Sequence, residues 1–327
     1  MKRILLWSLV AVGIASLALT PAGVAIAKEY KAKVGGGPTG GTFNTFANAM
    51  SVYIPKVLPD MKVSAVGSGG SVENVKRVHS GESDFGLCYA VDLGLGAKGT
   101  LPKDEVKYDG TRSMGFLYGA PAQLIVRADS GFKSAKDLVG KRVAVGNAGS
   151  GAAASAERFF RHLGIWDNFK PQFLGYSAAA SAFKDGKIDA FWVLVGYPNS
   201  SVIEAAVQTD IALLPVGVDA EASGFYNEYA YIPMDIPAGT YGEGMPACAS
   251  FQDACVLAVN KDVPAEVVYD VMKTLWSPEG IAAMTEAKKS FSTMNMENNF
   301  LGSSVPLHPG AVKFWEEMGL TVPAKLK

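Results

Sequence analysis

The chain has 327 residues, 49% of them hydrophobic, with 30 Lys plus Arg against 31 Asp plus Glu. That length suffices for two compact domains with sizeable cores. A charge balance this close to neutral, without a basic stripe, excludes the electrostatic footprint of a nucleic-acid binder.

The first residues read as an export signal: Lys2 and Arg3, an apolar stretch over 4–19, then Ala25-Ile26-Ala27 with small residues where cleavage is expected. The expected mature chain starts at Lys28, with residues 1–27 removed after Ala27. Its 28 basic and 31 acidic residues then give a net charge of minus three. No Cys follows the cut, which argues against a lipid anchor, and no later apolar run is long enough to span a bilayer. A soluble, periplasmic product is expected.

From there the chain alternates strands and helices, the pattern of an α/β protein with mainly parallel pairing. A strand at 30–34 leads through Gly35-Gly-Gly-Pro-Thr-Gly-Gly-Thr42 into a helix at 42–57 with the stripe Phe43, Phe46, Ala47, Met50 and Ile54. A strand at 63–66 leads through four small residues, 67–70, into a helix at 71–79 that begins at Ser71 and carries Val72, Val75 and Val78 at helical spacing. Gly81 reads as its C-terminal cap, and 84–89 as the next strand. A looser segment over 92–110 follows, then strand patterns at 113–117 and 123–127, with a first crossing between lobes at 119–121.

The second half replays the first. Residues 142–145 lead through Gly146-Asn-Ala-Gly-Ser-Gly151 into an Ala-rich helix ending near Leu163, with Gly164 as its stop. A strand at Phe173 and Leu174, a helix at 177–184 and a strand at 190–195 come next. Gly81-Glu-Ser-Asp84 and Gly186-Lys-Ile-Asp189 each close a helix and open a strand, which suggests two similar lobes. After a strand at 211–215 the chain becomes irregular, rich in Pro and Gly up to Pro246. The second crossing is expected between 236 and 256, a strand at 254–259, and helices at 264–276, 278–287 and 311–318. The lobes are thus expected as 28–118 with 250–327, and 119–249, with a ligand cleft between them.

Three times, then, a strand passes through a glycine turn into a helix start bearing a hydroxyl (Thr42, Ser71, Ser150). Glycines let backbone N–H groups approach a ligand closely, and the helix N-terminus favours an anion. Ordinary βα turns are the alternative for any one of them; their recurrence suggests one shared anionic ligand. Gly70, Asn147 and Ala152 belong to these turns and helix starts, and Tyr89 lies at a strand end facing the expected cleft. Among the other aromatics, Trp192 reads as core, and Tyr197, before Pro198 and Asn199, as a cleft wall, with Tyr241 in the irregular return.

Catalytic chemistry is missing. Gly35 to Gly40 satisfies G-x-G-x-x-G, but the acidic residue of a dinucleotide site is absent from the end of the next strand, where Gly67 and Ser68 stand. Gly146 to Gly151 has the outer glycines of a P-loop, but Ala152 and Ala153 replace the Lys and hydroxyl that hold phosphate and magnesium. Ser130 to Lys133 and Ser181 to Lys184 match S-x-x-K without the accompanying motifs of acyl transfer. His79, His162 and His308 lack metal-ligand spacing. No catalytic residue, cofactor or metal is expected. Cys248 and Cys255 could close a short loop in an oxidising compartment or remain two separate thiols, and Cys88 is left over as a small buried residue.

Several motifs in series carry a family resemblance. Gly-Gly-Thr at 40–42, Gly-Gly-Ser-Val-Glu-Asn at 69–74, Ser-Gly-Glu-Ser-Asp-Phe at 80–85, Asp-Leu-Val-Gly-Lys-Arg-Val-Ala-Val-Gly at 137–146 and Gly-Ser-Gly at 149–151 occur in order. Asp-Gly-Lys-Ile-Asp-Ala-Phe at 185–191, Ile-Pro-Ala-Gly-Thr-Tyr at 236–241 and Pro-Leu-His-Pro-Gly-Ala at 306–311 complete the series. Together they resemble the TAXI family of TRAP-transporter solute receptors over nearly the whole mature chain. The resemblance implies a two-lobed periplasmic binding protein fold, type II-like, with two crossing segments. It implies a monomer that captures a small organic anion, an amino acid such as glutamate or a carboxylate such as 2-oxoglutarate, and delivers it to the subunits of a TRAP-type ion-coupled permease. It places ligand contacts at Thr42, Phe43, Ser71, Val72, Ser150, Gly151, Tyr197 and Pro198. The chain departs from relatives that carry a Gln near 87–89 and a Thr-Arg pair at 152–153, which leaves room for a less polar carboxylate held mainly by backbone amides. A ligand sensor for a membrane signalling protein, or an enzyme on the related thiamine-pyrimidine-synthesis scaffold, are the alternatives.

Overall fold

The computed structural model describes residues 29–327 except Gly40 and Lys103, so the export signal expected at 1–27 lies outside the described residues. The first half runs β1 (Tyr30–Gly35), α1 (Thr42–Val57), β2 (Met61–Val66), α2 (Ser71–Ser80), β3 (Phe85–Tyr89), α3 (Ala90–Lys98) and the long β4 (Thr111–Arg127). Next come β5 (Arg142–Ala144), α4 (Gly151–His162), β6 (Lys170–Gln172), α5 (Tyr176–Lys184), β7 (Ala190–Leu194), α6 (Ser200–Gln208), β8 (Ile211–Leu214), α7 (Val216–Ser223), α8 (Phe225–Glu228) and β9 (Ile232–Ile236). The chain closes with the long β10 (Cys248–Asn260), α9 (Ala265–Leu275), α10 (Pro278–Ala287) and α11 (Pro309–Glu317).

The strands form one curled mixed sheet in the order β2-β1-β3-β10-β4-β7-β5-β6, with β8 on β4 and β9 on β10. Two strands carry the chain across the middle. The first part of β4 pairs antiparallel with β10, from Thr111 opposite Asn260 to Pro121 opposite Gln252. Its last residues, Ala122 to Val126, pair instead with β7, while Leu124 to Arg127 also pair with β8. β10 makes the reverse change, from β9 at Cys248 to Gln252 to β3 at Cys255 to Val259. Parallel βα units flank this pair on both sides, β2-β1-β3 and β7-β5-β6. Pro121, which lacks a backbone donor, sits where β4 changes partners.

The pattern reading meets the structure element by element where periodicity is strong. α2 buries Val75 and Val78, carries its charged residues outward, and ends on Gly81 at φ 74°, the left-handed conformation glycine adopts without strain. In the second half of the molecule Trp192 is fully buried and stacks on Phe159 with ring centroids 5.4 Å apart.

Four expectations need correction. Residues 92–98 of the looser segment belong to α3: Gly94 and Gly96 lower helix propensity, but a Cβ on them would come within 2.9 Å of Ser304 Cβ and Val75 Cγ1, so they serve close packing. The two strand patches around 119–121 are one continuous strand. The strand expected at Phe173 and Leu174 is β6, three residues earlier, and the Pro- and Gly-rich return holds α7, α8 and β9. Finally, Cys248 and Cys255 are separate free thiols. Both lie on β10 seven residues apart, about 23 Å of extended chain at about 3.3 Å per residue, far beyond disulfide reach.

Candidate functional site

The turns after β1, β2 and β5 bring the starts of α1, α2 and α4 to a common cavity of about 150 Å3, and the start of α5 joins them. Thr42 and Phe43 come from α1, Gly70 and Ser71 from α2, Ser150, Gly151 and Ala152 from α4, and Gly175 to Ala178 from α5. Asn147, Tyr89 and Tyr118 complete much of the wall.

Three of these helix starts have no side-chain cap. The N-cap residues of α1, α2 and α5 are Gly41, Gly70 and Gly175, and none of the three has a capping side chain. Among the other helices, Asn199 accepts from two amides of α6, Ser277 caps α10 and His308 caps α11, while α3, α7, α8 and α9 likewise begin without a side-chain cap. An uncapped first turn leaves amide donors in need of an acceptor. On α4, Ser150 Oγ accepts from Ala153 N at 3.1 Å, which leaves the amides of Gly151 and Ala152 outside that cap.

Side chains add donors. Thr42 is 2% exposed and Tyr118 1%, yet neither hydroxyl has a hydrogen-bond partner within the protein. Ser71 Oγ accepts from Tyr89 N at 2.8 Å, so its own proton remains to be given. Tyr89 and Tyr176 are committed elsewhere: their hydroxyls donate to Leu194 O at 2.5 and 3.0 Å, so they offer the cavity mainly their rings. Phe43 packs on Tyr89 at 4.9 Å between centroids. Burial pushes the Tyr176 phenol up to about 12 and those of Tyr89 and Tyr118 well above their ordinary value, so all three stay neutral. No Arg, Lys, His, Asp or Glu lines the cavity among the described residues.

Behind the wall the two halves of the molecule touch. Gly70, at φ 122°, would bring a Cβ to 3.6 Å from Ser150 Cβ, and a Cβ on Gly151 would meet Tyr89, Asp92 Oδ2 at 2.7 Å and Ser71 Cβ at 2.8 Å. Only glycine fits there. Beneath them Asp92 of α3 pairs with Arg158 of α4 at 2.9 Å, both almost wholly buried, and Arg158 donates to the Tyr231 hydroxyl at 2.8 and 3.0 Å. Asp253 of β10 shares this pocket. Burial, and then the neighbouring Asp92, hold its carboxyl well above the usual range.

The structure therefore places nine of the twelve expected contacts around one cavity: Thr42, Phe43, Gly70, Ser71, Tyr89, Asn147, Ser150, Gly151 and Ala152. Three do not line it. Val72, one helical step from Ser71, turns away and packs on the cluster of Val75, Cys88 and Leu93. Tyr197 and Pro198 line a separate, more open recess with Lys289 and Ser290. Tyr241 is buried, donating its hydroxyl to Gln123. Sequence reading missed Tyr118 and the start of α5. The second had a signal, since Gly175 follows a strand and opens a helix as Gly70 does.

With this geometry in view, the chain was compared with known proteins. A family model described as the NMT1-like family matches residues 34–319. Among solved structures, MatC from Rhodopseudomonas palustris with bound malate is 14% identical, with a TM-score of 0.53 over 83% of this chain and 90% of that one. XAC2383 from Xanthomonas citri bound to chloride ion is 11% identical, with a TM-score of 0.51 over 88% and 95%. The periplasmic aliphatic sulphonate binding protein SsuA from Escherichia coli is 14% identical, with a TM-score of 0.45 over 88% and 83%. At these identities the likeness is one of fold, the two-lobed periplasmic binding protein fold.

Proposed function

Since this chain belongs to the NMT1-like family, we propose that it is an extracytoplasmic solute receptor that captures a small organic anion between two lobes, 28–118 with 250–327 and 119–249. We propose further that it is exported by cleavage after Ala27, acts as a monomer of the TAXI type, catalyses no reaction, and hands its ligand to a TRAP-type permease.

One observation carries the reading: four helix N-termini open on one cavity that contains no charged side chain among the described residues. Each end carries roughly half a positive elementary charge, worth about 0.3 to 1 kcal/mol to an anion and up to about 2 when partly buried. Micromolar binding needs about 8 kcal/mol. The remainder falls to charge-assisted hydrogen bonds from first-turn amides, Thr42, Ser71 and Tyr118, at about 1.5 to 3 kcal/mol each. MatC, on a similar fold, was solved with bound malate, a small organic anion, which accords with this reading.

The test uses purified protein freed of co-purified ligand by unfolding and refolding, with thermal shifts against amino acids, 2-oxo acids, hydroxy acids and dicarboxylates. At about 100 times the dissociation constant a ligand stabilises by about 2.7 kcal/mol, a shift of several degrees. A refolded protein that responds to no anion would contradict the receptor reading.

A further inference from the structure

Building on that receptor reading, we infer that the ligand is a compact monocarboxylate without an ammonium group, a short hydroxy or oxo acid in place of an amino acid or a dicarboxylate. The juxtaposition that carries it is a polar surface rich in N–H and O–H donors and without charged side chains among the described residues, set against an aromatic wall, in a cavity of about 150 Å3.

The polar lining comprises uncapped helix starts, the Thr42 and Tyr118 hydroxyls without partners, and Ser71 with its oxygen already accepting from Tyr89 N. A single carboxylate, with two oxygens and about four acceptor sites, matches such a set. Two features set its limits. An α-ammonium is best held by a carboxylate, and among the described residues the lining offers only neutral acceptors, the Asn147 amide and the hydroxyls; Asp92, which lies behind Gly151, is fully buried and paired with Arg158. The carbonyl of Leu194 is taken by two tyrosine hydroxyls. An ammonium would therefore be desolvated without a charged partner, beside helix ends that repel it. A second carboxylate would need a cation to neutralise it, and the lining holds none among the described residues; beyond Asn147, Ser177 and Ser201, much of the remaining wall is Phe43, Val195, Ala152 and the faces of Tyr89 and Tyr176.

Size points the same way. A cavity of about 150 Å3 accommodates a molecule of about six non-hydrogen atoms, as a benzene-binding cavity of that volume does. Lactate has that size, and its hydroxyl can accept from Thr42 or Tyr118.

Calorimetric titration of the refolded protein with isosteric pairs tests the inference: lactate against alanine, and 2-hydroxybutyrate against 2-aminobutyrate, with malate and glutamate alongside. The expected result is that a hydroxy acid binds at least about 100-fold more tightly than its amino counterpart, about 2.8 kcal/mol, and more tightly than malate. Equal or tighter binding of alanine, glutamate or malate would overturn the inference and leave the receptor reading standing. Absence of binding by every probe would overturn both.

Discussion

Tyr118 shows how a residue can oppose stability and serve binding. Its hydroxyl is buried without a partner, a condition that costs about 1 to 3 kcal/mol. Replacing it by Phe keeps the ring in place between the crossing strand and Phe291 and removes the orphaned group. Tyr118→Phe should therefore raise the melting temperature of the ligand-free protein while weakening carboxylate affinity about tenfold, the two read by calorimetry and titration. A lowered melting temperature together with unchanged affinity would contradict a ligand-facing hydroxyl. Nothing in the sequence marks this residue, which reads as one more aromatic in a strand. Its place at the cavity follows from β4 passing beneath both halves, a tertiary fact. Thr42 and Ser71, by contrast, were legible because a glycine turn, a hydroxyl and a helical stripe stand side by side in the chain. Val72 was misread because a helix turns by about 100° per residue, and its neighbour's exposure to the cavity does not extend to its own side chain.

Among the elements, the convergent helices α1, α2, α4 and α5 and their neighbour α6 divide by how they are capped. α6 is closed by Asn199 and needs nothing from outside, whereas α1, α2 and α5 begin on glycines. α4 is intermediate, and its first residue is also the point where it meets α2 and α3. Gly151→Ala would place a methyl group against Asp92, Ser71 and Tyr89, and would part α4 from the other half of the molecule. Because Arg158 of α4 pairs with Asp92 in the same place, the variant is expected to unfold several degrees below the wild type and to lose at least tenfold in ligand affinity. Wild-type affinity would show that the close approach of α4 to α2 is not needed for binding. Strong periodicity made α1, α2 and α10 legible almost to their ends. α3 was hidden because its glycines look like a loop, although they allow it to pack closely on Val75 and Ser304. α7 and α8 were hidden in a segment whose Pro and Gly content masks two short helices.

In the whole molecule, β4 and β10 form one antiparallel pair that passes through both halves. The cavity lies where those halves meet, above the buried group of Asp92, Arg158, Tyr231 and Asp253. Tyr89 of the first half reaches Leu194 of the second, and Arg158 reaches Asp92. Breaking such a buried pair on one side costs about 3 to 5 kcal/mol, so these contacts join site geometry to the stability of the joined state. The fold was legible because alternating βα patterns recur in both halves. The joining network was not, since nothing in the sequence ties Asp92 and Asp253 to Arg158 and Tyr231, which lie far from them in the chain. The central claim is that backbone amides of converging helix starts hold the anion, and a crystal structure with whichever carboxylate stabilises the protein most tests it directly. The account predicts carboxylate oxygens within about 3 Å of first-turn amides from at least two of α1, α2, α4 and α5, with Thr42 or Tyr118 completing the set. A carboxylate resting instead on lysine or arginine side chains, or seated in the recess beside Tyr197 and Lys289, would contradict it.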